Sequence, residues 1–282
     1  MKAPLRTLAE LVRAPAALSV PGDVVAGAAA AGTLSARTAG LAGASVCLYW
    51  AGMAANDWAD RDLDAVERPE RPIPSGRISA PAALGIAAGL TAAGLAVAAK
   101  AGGARALAVA VPLAAAVWAY DLRAKNTAAG PAGMAACRAL DVLLGATPGD
   151  PVRALPAALA VAAHTYTVTE LSRREVSGSD SSALPATTLG ATVALAAAVA
   201  SRGSAATGLL AGEYATSYGR AQARLFTEPG AATVRAAVGA GITALPSLQG
   251  ALTARAGRGW TGLALAAAAP LARLLARKVS PT

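Results

Sequence analysis

Asn56, Asp60 and Asp64 recur every four residues in the run AANDWADRDLD, from Ala54 to Asp64. On a helix that spacing stacks the three side chains on one face, turn over turn. Carboxylates placed so close together repel each other unless a cation lies against them. One amide and two carboxylates form a hard oxygen set of the kind that suits Mg²⁺, which keeps waters and completes its octahedron with substrate phosphate oxygens. Asp57 and Asp62 fall on neighbouring faces, with Arg61 and Arg68 as candidate partners. A solvated helix end of mixed charge is the plainer account of such a run. Against it, the cluster sits at the edge of an apolar segment and leads directly into the Pro/Arg/Gly loop ERPERPIPSGRIS, Glu67 to Ser79.

Those residues need a scaffold, and composition says what kind. Of 282 residues, 55% are hydrophobic and only 15% charged, with 29 glycines and a single Phe. A soluble domain of this length needs more charge on its surface, whereas small-residue helices can pack backbone to backbone in lipid. The expected fold is therefore all-α, a polytopic membrane bundle forming one domain over residues 1–282. Apolar segments approaching bilayer length (about 17–25 residues) are placed at Ala16–Leu34, Ala39–Ala55, Ala80–Ala99, Ala106–Tyr120, Pro131–Ala146, Leu155–Thr169, Ala183–Ala200, Val234–Leu252 and Gly259–Leu275. Gly203–Tyr218, which carries Glu213, reads as a tenth, short or re-entrant element.

The net charge of +9 is read as retention beside anionic lipid, since no basic stripe interleaved with aromatics points to nucleic acid. Lys and Arg crowd the N-terminus and the loops after the second, fourth and sixth segments, which places those parts in the cytosol of a cell-membrane protein. Cys47 and Cys137 lie within apolar segments and suggest neither a disulfide nor a metal cluster.

The first motif and its loop resemble those of the UbiA superfamily of membrane prenyltransferases. Asn56, Asp57, Asp60 and Asp64 fit that family's first aspartate-rich pattern, and Arg68, Arg71, Pro72, Pro74 and Gly76 fit the loop behind it. The resemblance implies about nine helices around a central cavity open to the cytosolic side. It also implies Mg²⁺-dependent transfer of a prenyl group from an isoprenyl diphosphate to an aromatic or other lipophilic acceptor. Asp60, Asp64, Arg123 and Lys125 would then serve catalysis, with Asn56, Asp60, Asp64 and Glu170 holding metal. Asn56, Asp57, Arg68, Arg71, Arg123, Lys125, Arg138 and Arg174 would hold substrate. Arg123 and Lys125 come from WAYDLRAKNTAAG, Trp118 to Gly130, which resembles the family's basic loop after the fourth helix. An Arg grips phosphate in bidentate fashion and a Lys acts as a point charge.

Three further features leave alternatives open. Arg138 and Asp141, three residues apart at membrane depth, form either an intrahelical pair or a substrate contact. His164, near Tyr166, is read as a packing residue before a catalytic base. The family's second Asp-x-x-x-Asp motif is degenerate here: Glu170 occupies the first acidic position and Arg174 the second, with Glu175 and Asp180 off the spacing. In this the chain resembles the UbiA-like branch named EboC. Arg173 and Arg174 could neutralise diphosphate in place of a metal, or the degenerate motif could mark a non-catalytic membrane protein that binds or helps transport an isoprenoid or phosphorylated lipid. A secondary transporter fits less well, because the polar residues crowd one membrane face and not the midplane.

Overall fold

The computed structural model describes residues 2–179, 181–201 and 203–267. Every regular element among the described residues is helical. They are α1 (Lys2–Leu11), α2 (Pro21–Ala30), α3 (Ala36–Ala59), α4 (Arg61–Glu67), α5 (Ala80–Ala119), α6 (Gly130–Ala146), α7 (Leu155–Ser172), α8 (Ala183–Ala200), α9 (Ala205–Arg224) and α10 (Ala231–Arg255). Short 3-10 turns precede α2 and α7, and a π turn, Tyr120–Ala124, follows α5. Among the described residues four helical stretches are long and apolar enough to cross a membrane: Ala36–Ala59, Ala80–Ala124, Ala183–Ala200 and Ala231–Arg255.

α5 is a hairpin and not a rod. Gly103 adopts φ 65°, ψ −152° in its middle, a left-handed conformation that a side chain would strain. Trp118 Nε1 donates to Thr91 Oγ1 at 3.0 Å although the two are 27 positions apart. A straight helix would hold them about 40 Å apart. The two limbs correspond to the separate segments expected at Ala80–Ala99 and Ala106–Tyr120. The segment expected at Ala16–Leu34 contains only ten residues of α-helix, because Pro21 occupies the first turn and Gly32, at φ 72°, follows the end. The segment at Gly203–Tyr218 is part of a full 20-residue helix, α9, whose Tyr214, Tyr218 and Gln222 are buried while Glu213 faces outward. Part of Gly259–Leu275 lies outside the described residues.

Two packed groups make most of the core, beside two smaller ones around Leu11 and Ala146. Val24, Leu41, Leu48, Leu113 and Leu144 join α2, α3, α5 and α6. Val161, Leu171, Tyr214, Tyr218, Leu225 and Leu248 join α7, α9 and α10, with α8 adding Ala196 and Val199. Small residues set the spacing between helices. A Cβ on Gly27 would stand 1.8 Å from the Val142 carbonyl oxygen, and one on Gly145 would stand 2.0 Å from that of Val24. The backbones of α2 and α6 therefore touch, the kind of contact that drives helix association in lipid.

The groups also share a buried polar hub. Arg138 Nε lies 2.8 Å from Asp23 Oδ2, and Gln249 Nε2 donates to Asp23 Oδ1 at 2.7 Å. Both side chains also donate to the Ser19 carbonyl. The hub ties α2 to α6 and α10, since an unpaired ion at that depth would be costly.

Candidate functional site

The first motif lies where α3 passes into α4. Asp60 leaves helical geometry at φ −89°, ψ 4°. The i−4 ladder nevertheless continues, with Asp60 N–H bonded to the Asn56 carbonyl at 2.9 Å, Asp64 to Asp60 at 2.8 Å and Arg68 to Asp64 at 2.8 Å. The acidic side chains divide into two sets. In one, Lys125 Nζ lies 2.6 Å from Asp60 Oδ1 and donates to Asn56 Oδ1 at 3.0 Å, while Asn56 Nδ2 donates to Asp60 Oδ2 at 3.3 Å. In the other, the Arg71 guanidinium bridges Asp64 Oδ2 at 2.6 Å and Asp57 Oδ1 at 3.3 Å. Arg13 adds 3.1 Å to Asp57 and Arg68 adds 3.5 Å to Asp64.

Helical drift explains the division. Each four-residue step turns about 40° past a full circle, whereas a seven-residue step falls only about 20° short. Asp57 and Asp64 therefore align better with each other than Asn56 does with Asp64. Asp62 stays outside both sets, 88% exposed and paired with Arg61.

The loop that supplies Arg71 is folded on itself. Gly76 takes φ 72°, Ser75 N–H bonds the Arg71 carbonyl and Ile78 N–H closes on Pro72. Arg77 reaches across to Glu10 of α1, so that α1, the loop and the α3–α4 junction form one packed end. Across from it the π turn carries Lys125 on its final residue's flank. Gly52 lets this turn approach α3: a Cβ there would stand 2.7 Å from Val117 Cγ1 and 3.1 Å from Asp121 Oδ2.

Lys125 also lines an open cavity with Asn126, Glu170, Arg173, Arg174 and Ser179. The degenerate second motif thus faces the same space as the cation that touches the first. Arg173 lies 3.7 Å from Glu170 and donates to the Thr127 carbonyl. Arg123 is not among the residues that line this cavity. It is exposed and forms no ion pair among the described residues. Arg138 does not pair with Asp141, its neighbour one turn on, but with Asp23 of α2. His164 is buried, with its Nδ1 3.0 Å from the Tyr214 hydroxyl, which is a packing role. Glu175 offers its backbone carbonyl to Arg235, and Asp180 lies outside the described residues.

Among the described residues no three His, Cys, Asp or Glu side chains converge as a metal cage. Mg²⁺ does not require one, because it takes one or two carboxylates and fills its shell with water and substrate phosphate. Asn56 and Asp60 fit that requirement, and Asp64 Oδ1 is buried without a hydrogen bond. Glu170, by contrast, is the only carboxylate among the described residues that line that cavity, beside Lys125, Arg173 and Arg174, and those residues alone do not form a second metal site.

One acidic residue escaped the sequence reading. Asp121, directly after Tyr120 in the π turn, is 3% exposed and within electrostatic reach of Lys125, Arg13, Asp60 and Asp57. A carboxylate inside an otherwise apolar run was the available signal.

A profile of the UbiA prenyltransferase family matches residues 18–279. Among curated relatives, digeranylgeranylglyceryl phosphate synthase of Ignicoccus hospitalis is 41% identical over 90 residues, 32% of this chain and 30% of that protein. Chlorophyll synthase of Arabidopsis thaliana is 43% identical over 65 residues, 21% of this chain and 17% of that protein. The matched stretch thus spans less than a third of those relatives' length. In overall shape the chain resembles a solved digeranylgeranylglyceryl phosphate synthase at a TM-score of 0.65 and 18% identity, over 90% of this chain and 98% of that one. It also resembles a UbiA homologue from Aeropyrum pernix K1 at a TM-score of 0.54 and 21% identity, over 94% and 97%.

Proposed function

The chain belongs to the UbiA prenyltransferase family, and from that premise we propose that it transfers a prenyl group from an isoprenyl diphosphate to a lipophilic acceptor within the membrane. The observation that carries this reading is Lys125, which touches Asn56 and Asp60 on one side and lines the Glu170–Arg173–Arg174 cavity on the other. A diphosphate seated there meets the first motif and three cationic side chains at once.

Asn56 and Asp60 would hold Mg²⁺, which when bound supplies charge neutralisation for the departing diphosphate. Lys125 gives a point charge against the same oxygens, and Arg173 and Arg174 add planar donors suited to phosphate. These preorganised charges favour the state in which the allylic C–O bond is breaking, because negative charge gathers on the leaving group there. Arg71 plays a positioning part by holding Asp57 and Asp64 in place, so that Asp60 keeps its aim. The apolar helices around the site exclude water from a carbocation-like centre until the acceptor attacks.

Orientation follows the Lys and Arg bias, with the N-terminus and the Arg61–Arg77 stretch in the cytosol. An impermeant thiol reagent should then fail to label Ser75→Cys from outside intact cells. A non-catalytic lipid binder is the second reading, and the lone Glu170 of the second motif favours it. The two part in one assay. Purified protein in detergent receives labelled prenyl diphosphates of several chain lengths, a membrane lipid extract as acceptor source, and Mg²⁺ with or without chelator. Prenylated product detected by mass, and lost with chelator, supports transfer. Diphosphate binding with no product from any chain length supports the binder.

A further inference from the structure

A cleft opens at the end of the bundle opposite the first motif, between α7, α8 and α10. The run of α7 fixes its place. Pro156, in the first turn, lines this cleft, whereas Glu170, in the last turn, lines the cavity that Lys125 shares. The 14 positions between them span about 21 Å of helix. α8 runs the other way, with Leu184 of its first turn on the Lys125 cavity and Val199 of its last turn on the cleft. The cleft is therefore separate from the diphosphate site.

Its lining is layered. Arg153 stands just before α7 and Arg255 is the last residue of α10, so both belong to the outer rim. About one turn deeper come Leu159 of α7, Leu195 of α8 and Leu252 of α10, and Leu159 is 66% exposed. The fold fixes Arg255 across the mouth, where its Nη1 donates to the Ala198 and Val199 carbonyls in the last turn of α8. Arg153 is held only loosely, 3.9 Å from Asp150, with both side chains mostly exposed. Two guanidinium groups thus share one nearby carboxylate above a slot of leucines. Guanidinium donors match phosphate oxygens, and basic pockets between membrane helices take lipid head groups. A free phosphate would leave the leucine layer without partner atoms. A zwitterionic head group would bring an ammonium up to the same arginines and lose part of the attraction.

We infer that this cleft binds an anionic phospholipid, with its phosphate between Arg153 and Arg255 and an acyl chain along Leu159, Leu195 and Leu252. The test needs no turnover, so its outcome is independent of the transferase reading. Full-length protein, stripped of lipid in detergent, is titrated with phosphatidylglycerol and with phosphatidylcholine of the same chains. Binding is read by native mass spectrometry, with inorganic phosphate as the anion that lacks a chain. Affinity for geranylgeranyl thiolodiphosphate, a non-reacting analogue, is measured beside it.

Phosphatidylglycerol should bind at least about tenfold tighter than phosphatidylcholine, and an equal concentration of inorganic phosphate should not displace it. Arg153→Gln and Arg255→Gln should each weaken phosphatidylglycerol binding about fivefold, with thiolodiphosphate affinity unchanged. Arg220→Gln, which removes an exposed arginine near the other end of the bundle, should leave lipid binding as it was. Arg153→Gln breaks only an exposed contact, so it decides the matter should Arg255→Gln release α8 and unfold. Equal affinity for the two lipids, displacement by inorganic phosphate, or an Arg153→Gln loss no larger than that of Arg220→Gln would overturn the inference. So would a parallel loss of thiolodiphosphate affinity in Arg153→Gln.

Discussion

Lys125 Nζ lies 2.6 Å from Asp60 Oδ1, joining a π turn at the end of the α5 hairpin to the junction of α3 and α4. An ammonium in that position competes with a divalent cation for the same carboxylate, and it also attracts the diphosphate that would accompany the metal. The two effects have opposite signs. Lys125→Met should raise the affinity for Mg²⁺ alone, while weakening prenyl diphosphate binding by about tenfold or more. Calorimetric titration of each ligand separately checks both; a change of the same sign in both would show that Lys125 acts only on folding.

Arg71 should matter more for stability than the exposed ion pairs around it. It bridges Asp57 and Asp64, which are 5% and 1% exposed, and its removal leaves two buried charges with only Arg13 and Arg68 at their edges. Arg71→Ala should cost about 2 kcal/mol. Asp62→Ala, which breaks only an exposed pair with Arg61, should cost under about 1 kcal/mol. Thermal unfolding in one detergent compares them directly.

The second motif gives a test by charge. Among the described residues Glu170 is the only carboxylate in the cavity that Lys125 lines. Glu170→Gln should therefore leave turnover within about threefold of the unaltered protein, since no metal ligand is lost, whereas Glu170→Gln in a protein with a working second metal site would abolish it. Arg174→Asp, which places two carboxylates four residues apart, should raise the Mg²⁺ concentration dependence of turnover.

Acid should loosen the N-terminal helix. Arg77 hydrogen-bonds Glu10 and holds its carboxyl below the ordinary value, with Arg6 adding to the effect and partial burial opposing it. A lowered folded value means the contact stabilises above the unfolded value of about 4.3 and is lost as pH falls through the folded one. Amide protection factors in α1 should drop across that acidic range, and Glu10→Gln should remove the step.

Helix types and most segment positions could be read from hydropathy, and the two limbs of α5 were separable because Lys100 and Arg105 interrupt the apolar run around Gly103. The cluster at Asn56, Asp60 and Asp64 was readable because its spacing is local. Its partition was harder to see. Which cation reaches which carboxylate depends on Arg13, Arg71 and Lys125 arriving from other parts of the chain, and no periodicity encodes that. Arg138 shows the same limit: its near neighbour Asp141 suggested an intrahelical pair, yet Asp23, brought over by the close α2–α6 contact, takes it. Asp121 went unnoticed because it sits beside Tyr120 in a turn whose basic residues drew the reading. Gly52, far away in sequence, leaves room for its carboxylate, which would stand 3.1 Å from a Cβ there.

The central claim is that Asn56 and Asp60 present a prenyl diphosphate with its metal, and it is tested most directly by the dissociation constant of geranylgeranyl thiolodiphosphate with and without Mg²⁺. In the unaltered protein and in Asp62→Asn, Mg²⁺ should tighten binding by the same factor. In Asp60→Asn the Mg²⁺ increment should vanish, a loss on the order of tenfold to a hundredfold. No Mg²⁺ effect in the unaltered protein, or equal losses in Asp60→Asn and Asp62→Asn, would contradict the account.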